Sequence, residues 1–132
     1  MVSYMKTALA RLAKSSAVHM GFAFLAMGAW AVFANRGHAM PGPLLAGVVQ
    51  GSLSACITLF LKRFIETLVA RHEGLSGLVL PPFYAGLTSL TLLYAIHSLA
   101  GTPEILATIT VPLTVATSYA ALYTYTLWSA RP

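Results

Sequence analysis

Four polar side chains that could bind a ligand or transfer a proton lie within or beside the long apolar runs of this sequence: Arg36, His38, His97 and Glu104. A guanidinium can bind an anionic group through several N–H donors. An imidazole, whose reference pKa is about 6.5, can accept or release a proton near neutral pH. If the connections that carry them meet at one end of the molecule, the four residues can bind an anionic headgroup or pass a proton. Ordinary polarity at a membrane surface is the alternative interpretation.

Gln50 is a fifth candidate, because it lies in the middle of an apolar run. Polar side chains are costly inside a bilayer, so their positions there often mark function. Gln50 stands beside three small residues at four-residue spacing, Gly47, Gly51 and Ala55. Such a stripe lets another helix approach closely. The amide can therefore bond across a helix contact, or it can contact a substrate.

Pro112 interrupts the last apolar run, between Thr110 and Thr114. Proline removes one helical hydrogen bond and clashes with the preceding turn, so the sequence predicts a kink. We expect the neighbouring threonine hydroxyls to bond the freed carbonyl. The kink either serves packing alone or acts as a gating hinge.

The composition of the chain indicates which kind of secondary structure holds these residues in place. Of 132 residues, 58% are hydrophobic and 8% charged, whereas soluble domains carry about 25% charged residues. Four apolar segments cover residues 17–35, 43–62, 78–100 and 104–128. Roughly 20 helical residues cross a hydrocarbon layer of about 30 Å. The sequence therefore predicts an all-α integral membrane protein, one domain of four transmembrane helices in two consecutive hairpins.

The basic residues predict the orientation of these helices. Seven of the eight lie before the first segment, between the second and third, or after the fourth, and only Arg36 lies on the other side. This bias places both termini in the cytoplasm, in a bacterial-type inner (plasma) membrane. It also accounts for the net charge of +5, so we expect no nucleic-acid partner.

Residues 1–16 predict a short amphipathic helix in the headgroup layer. Lys6, Arg11 and Lys14 share one arc of a helical wheel, with the apolar side chains opposite: Met5, Leu9 and Leu12. Cations on one face and apolar groups on the other are typical of helices that lie on anionic lipid. A helix that binds a partner protein is the alternative.

Residues 62–77 form the longest connection between apolar segments. We expect the second helix to continue to about Arg71, with Glu66 one turn from Lys62 and Arg63, and to end at Gly74 and Gly77. Arg71, His72 and Glu73 resemble a solvated helix end more than a ligand cluster.

The sequence does not favour an enzyme. It has no glycine-rich phosphate loop, no zinc-protease motif and no serine nucleophile elbow. Two histidines and one carboxylate far apart in sequence lack metal-site spacing, so we expect neither a metal nor a cofactor. None of the three acidic residues lies in mid-membrane, which disfavours a classical proton- or sodium-coupled pump.

A transporter or flippase-like protein for a small amphipathic or lipid-linked molecule is the function we favour. The four-helix layout resembles, in organisation only, that of lipid-linked sugar flippases and paired-hairpin efflux proteins, without their residue signatures. The alternative is a non-transporting accessory or assembly subunit of a larger membrane complex. Beyond the lipid bilayer, we expect a homodimer or a membrane complex, because four helices enclose little volume and the Gly47/Gly51/Ala55 stripe suits close packing.

Overall fold

Five helices make up the chain in a computed structural model that describes the backbone of residues 1–132 and all side chains except those of residues 12–14. They are α1 (Val2–Lys14), α2 (Ser16–Ala34), α3 (Gly42–Arg71), α4 (Ser76–Ala100) and α5 (Ile105–Ser129). Helices α2 to α5 are each long and apolar enough to cross a membrane. The prediction of four such helices is confirmed, and they indicate a multi-pass membrane protein.

The two ends of the helix bundle differ in charge. The loop end holds the connections 35–41 and 101–104, and the basic end holds α1, residues 62–71 of α3, the connection 72–75 and the last residues of the chain. Seven of the eight lysines and arginines belong to the basic end. At about 1.5 Å per residue, the 30 residues of α3 exceed a hydrocarbon layer. The end of α3 lies close to the end of α5, since Arg131 Nη1 donates to the His72 carbonyl at 2.7 Å.

Helix α3 ends at Arg71, as the sequence predicts. Gly74 follows in the left-handed region with φ 58°, where a residue without a β-carbon carries no steric penalty. The expectation that Gly77 also ends α3 is wrong, because α4 begins at Ser76 and includes Gly77 in its first turn. Pro81 and Pro82 lie inside α4, one turn further on.

Helix α3 is the most buried of the four membrane-length helices, and it contacts α2, α4 and α5. Its small-residue stripe faces α2: a β-carbon on Gly51 would lie 2.9 Å from the Phe24 carbonyl oxygen, and one on Gly28 would lie 3.0 Å from the Gly47 carbonyl oxygen. The stripe therefore supports close packing within the chain. Ala55, its third member, is half-buried.

A core of buried apolar side chains joins α3, α4 and α5: Ile57, Leu61, Ile65, Val69, Ala85, Leu93, Ile109 and Ala120. The four members from α3 recur every fourth residue, the spacing that places side chains on one helix face. Helix α2 contributes nothing to this core. It contacts α5 much less than α3, and this leaves a gap between α2 and α5.

Pro112 is buried inside α5, which is one continuous helix over Ile105–Ser129. The carbonyl that it leaves without a helical partner belongs to Thr108. The hydroxyls of Thr110 and Thr114 donate instead to the carbonyls of Leu106 and Thr110. The expectation that these threonines bond the freed carbonyl is therefore wrong.

Within the described part of the chain, helix α1 contacts α2 and no other helix, and its residues 2–11 are all exposed. Leu12 and Lys14, two of the residues that predict its amphipathic character, lie outside the described side chains.

Candidate functional site

A buried asparagine joins α2 to α5 at the loop end. Asn35 follows the last residue of α2 and is fully buried. Its Nδ2 donates to the Ala31 carbonyl at 2.8 Å and to Thr108 Oγ1 at 2.7 Å. Its Oδ1 accepts the backbone N–H of Glu104 at 2.9 Å. One side chain thus bonds the end of α2 and the start of α5, and Trp30 adds a bond from Nε1 to the Ala107 carbonyl.

A second buried network joins α3 to α4. His97 is fully buried, its Nε2 lies 2.8 Å from Gln50 Oε1, and its Nδ1 lies 2.6 Å from Thr102 Oγ1. Gln50, also fully buried, donates from Nε2 to Ser54 Oγ at 2.8 Å. A hydrogen-bond chain therefore runs from the loop end, at Thr102, to Ser54 in the middle of α3.

The chemistry of the amide fixes the direction of this chain. Gln50 Oε1 can only accept, so His97 Nε2 carries a proton and donates it. In the neutral imidazole Nδ1 then accepts the hydroxyl proton of Thr102. Every polar atom of the His97 ring is satisfied without a charge, which is the condition for burying it at low cost.

The structure divides the five predicted site residues into two groups. Gln50 and His97 bond each other, a pairing that the sequence did not predict. His38 bonds Glu104, with Nε2 2.9 Å from Oε1, and both side chains are 41–51% exposed. The two histidines thus take different partners and do not bond each other. An exposed pair of this kind contributes little to stability.

Arg36 bonds the end of its own helix and neither histidine. Its Nη1 donates to the Phe33 carbonyl at 2.8 Å, and its guanidinium lies 3.9 Å from the centre of the Phe33 ring. With His38 and Glu104 it borders a shallow surface pocket of about 280 Å³. Its charge is thus satisfied locally by a carbonyl and an aromatic face.

A cavity of about 480 Å³ forms a groove between α2 and α5. Side chains of α3 and Leu93 form its floor, and apolar side chains dominate both walls, among them Ala23, Ala26 and Ala116. Ser54, the last member of the buried hydrogen-bond chain, lines this floor. The rim is open at the side, where Phe22 is 74% exposed and Val115 51% exposed.

Polar groups gather at the end of the groove nearest the basic end: Ser16, His19, Lys62 and Tyr119. Glu66, expected one turn from Lys62 and Arg63, forms an ion pair with neither of them within the described part of the chain. It accepts a 2.6 Å hydrogen bond from the Tyr123 hydroxyl instead. The groove thus combines an apolar body with a basic mouth.

The sequence interpretation missed the groove and the role of Asn35. Asn35 directly follows an apolar run, a position at which a side-chain amide commonly satisfies helix-end groups, so a signal was present. Thr102, between Gly101 and Pro103, gave no such signal. Thr102 reaches His97 because the chain turns back at Gly101, the left-handed residue that ends α4.

Among the described side chains, no three histidine, cysteine or acidic residues lie close enough together to hold a metal ion. In comparisons with known proteins, no family, no curated protein and no solved structure matches this chain.

Proposed function

We propose that this protein binds a small amphipathic molecule in the α2–α5 groove and moves it across the membrane, as a small transporter or flippase-like protein. The groove carries the proposal. Its volume of about 480 Å³ falls within the range of about 300–1,000 Å³ typical of small-molecule sites. Its apolar walls and polar mouth match a ligand with an apolar body and a polar head.

The loop end supplies the second part of the argument. There Asn35 ties α2 to α5, and His97 ties α4 to α3 through Gln50. A transporter that alternates between two sides must be closed on one side when it is open on the other. The combination of a bonded loop end and an open basic end is that of an inward-facing state. The proposed cycle breaks and re-forms these bonds.

In the proposed topology the helices form two hairpins, α2–α3 and α4–α5, with the basic end and both termini in the cytoplasm of a bacterial-type inner membrane. The distribution of the lysines and arginines supports this orientation. The exposed helix α1 is proposed to lie in the headgroup layer, because its described residues contact no helix other than α2.

Cysteine labelling tests the orientation. In a Cys56→Ala background, Gly37→Cys places a thiol in the connection 35–41 where a β-carbon meets open space, and Glu73→Cys places one in the exposed connection at the basic end. In intact cells a membrane-impermeant maleimide should label Gly37→Cys only, and after permeabilisation it should label both. Labelling of Glu73→Cys alone in intact cells would reverse the proposed topology.

Filling the groove should abolish ligand binding and flux. Ala116 lines the groove on α5, so Ala116→Phe places a ring in the space that the ligand's apolar body would occupy. We expect at least a tenfold loss of affinity, about 1.4 kcal/mol or more. The measurement is binding of dodecyl amphiphiles to protein in nanodiscs, with flux of the same probes in proteoliposomes.

Ala121→Phe is the matched control, because Ala121 belongs to the same helix, is exposed and does not line the groove. Equal binding by both variants would exclude the groove as the site. Absence of binding and flux in the unchanged protein, together with stoichiometric co-purification of a larger membrane protein, would indicate the accessory subunit. The small-residue stripe no longer argues for a homodimer, since α2 occupies it within the chain.

A further inference from the structure

We infer that the groove selects a single-chain amphiphile with an anionic headgroup, taken from the cytoplasmic leaflet, with the headgroup at Lys62 and His19 and the alkyl chain directed toward Ser54. This inference rests on the proposed function and specifies its ligand. The residues that line the groove include one lysine and no acidic side chain.

The charge at the mouth is available to a ligand. Lys62 is exposed, and no carboxylate of the described side chains lies within 4 Å of it. Its expected partner, Glu66, is held by the Tyr123 hydroxyl at 2.6 Å. An ammonium without a carboxylate, at the edge of an apolar groove, favours an anion and repels a cation. The His19 and Tyr119 side chains, which line the same groove, add hydrogen-bonding groups.

The shape of the groove indicates one alkyl chain. Its floor on α3 extends from Ser54 to Lys62, and at 1.5 Å per residue this is roughly 12 Å along the helix. Its wall on α2 extends from Ser16 to Met27, roughly 16 Å. A single medium-length chain fits this length, and the lateral opening past Phe22 and Val115 lets the chain enter from the lipid.

Headgroup charge is tested with probes that share one chain. Dodecyl phosphate, dodecyl maltoside and dodecyl trimethylammonium are titrated against the protein in nanodiscs of zwitterionic lipid, with empty nanodiscs subtracted. We expect dodecyl phosphate to bind most tightly. Lys62→Gln should weaken its binding about tenfold, the size of one charge-assisted contact at a partly exposed site, and Lys62→Glu should favour dodecyl trimethylammonium instead. Arg63→Gln, an exposed neighbour that does not line the groove, should change neither.

The outcomes separate the inference from the function on which it rests. If all three probes bind with equal affinity, and Ala116→Phe removes them all, the groove is a binding site but its selection of anions is refuted. If Lys62→Gln and Arg63→Gln weaken dodecyl phosphate equally, the attraction is a general surface charge and the placement of the headgroup at Lys62 is wrong. If no probe binds in the groove, the proposed function itself fails.

Discussion

Gly51→Val should lower the free energy of unfolding by about 2–4 kcal/mol, at or above the upper part of the range for inserting extra carbons into a packed interior. A β-carbon on Gly51 would lie 2.9 Å from the Phe24 carbonyl oxygen and 3.0–3.1 Å from two carbons of the Phe24 ring. The carbonyl belongs to the backbone of α2 and cannot move without the helix. The measurement is unfolding in mixed micelles with rising dodecyl sulfate.

Gly21→Val is the control for this prediction. Gly21 is also in a membrane-length helix, α2, and a β-carbon there meets nothing within 4 Å. Both substitutions gain the same small helix propensity over glycine, so the difference between them isolates the clash. Equal unfolding midpoints would show that α2 and α3 do not approach as closely as the structure places them.

Gln50 and His97 should be energetically coupled. Gln50→Leu leaves the Nε2–H of His97 without an acceptor, and His97→Leu leaves the Gln50 carbonyl without a donor, so each should cost about 1–3 kcal/mol. The double variant removes both unpaired groups and should cost less than the sum, with a coupling energy of about 1 kcal/mol, within the range seen for hydrogen bonds between membrane helices. A double-mutant cycle in the same unfolding assay measures this coupling.

Flux provides a second measurement of the same pair. If the loop end opens and closes during transport, Gln50→Leu and His97→Leu should each abolish flux in proteoliposomes while the protein remains folded. Ser98→Ala is the control, because Ser98 adjoins His97 but is exposed and bonds only the Tyr94 carbonyl of its own helix. If the losses in unfolding free energy are additive and flux is unchanged, the His97–Gln50 hydrogen bond is needed neither for stability nor for transport.

Local patterns in the sequence predicted the helices well. Apolar runs of membrane length, the end of α3 at Arg71 and the close packing at Gly47 and Gly51 all depend on residues a few positions apart. The partner of that stripe was not predictable in the same way. A helix face of small residues shows that another helix approaches, and the contacts of the stripe with Phe24 and Gly28 in the structure show that this helix is α2.

The candidate site was harder to predict from the sequence, because it depends on which face each helix turns toward its neighbours. Gln50 and His97 were both singled out, but they stand 47 positions apart, and no local pattern indicates that they meet. Glu66 shows the converse. Helical spacing placed it near Lys62 and Arg63, and a residue from α5, Tyr123, binds it instead, because a short hydrogen bond in a half-buried place outweighs an ion pair in water.

The bonds of Asn35 and Trp30 to α5 have a mechanical consequence. Among the described residues, side-chain hydrogen bonds join α2 to α5 at the loop end alone. Any swing of α2 relative to α5 would therefore pivot there. From Trp30 to Ser16, α2 measures roughly 21 Å, and a swing of about 10° across the surface of α3 about that fastening would shift its tip by roughly 4 Å. Such a lever amplifies small rearrangements at the pivot into a changed width at the far opening. In the proposed transport cycle, leverage of this kind would let a very short chain produce large movements from small changes at one end.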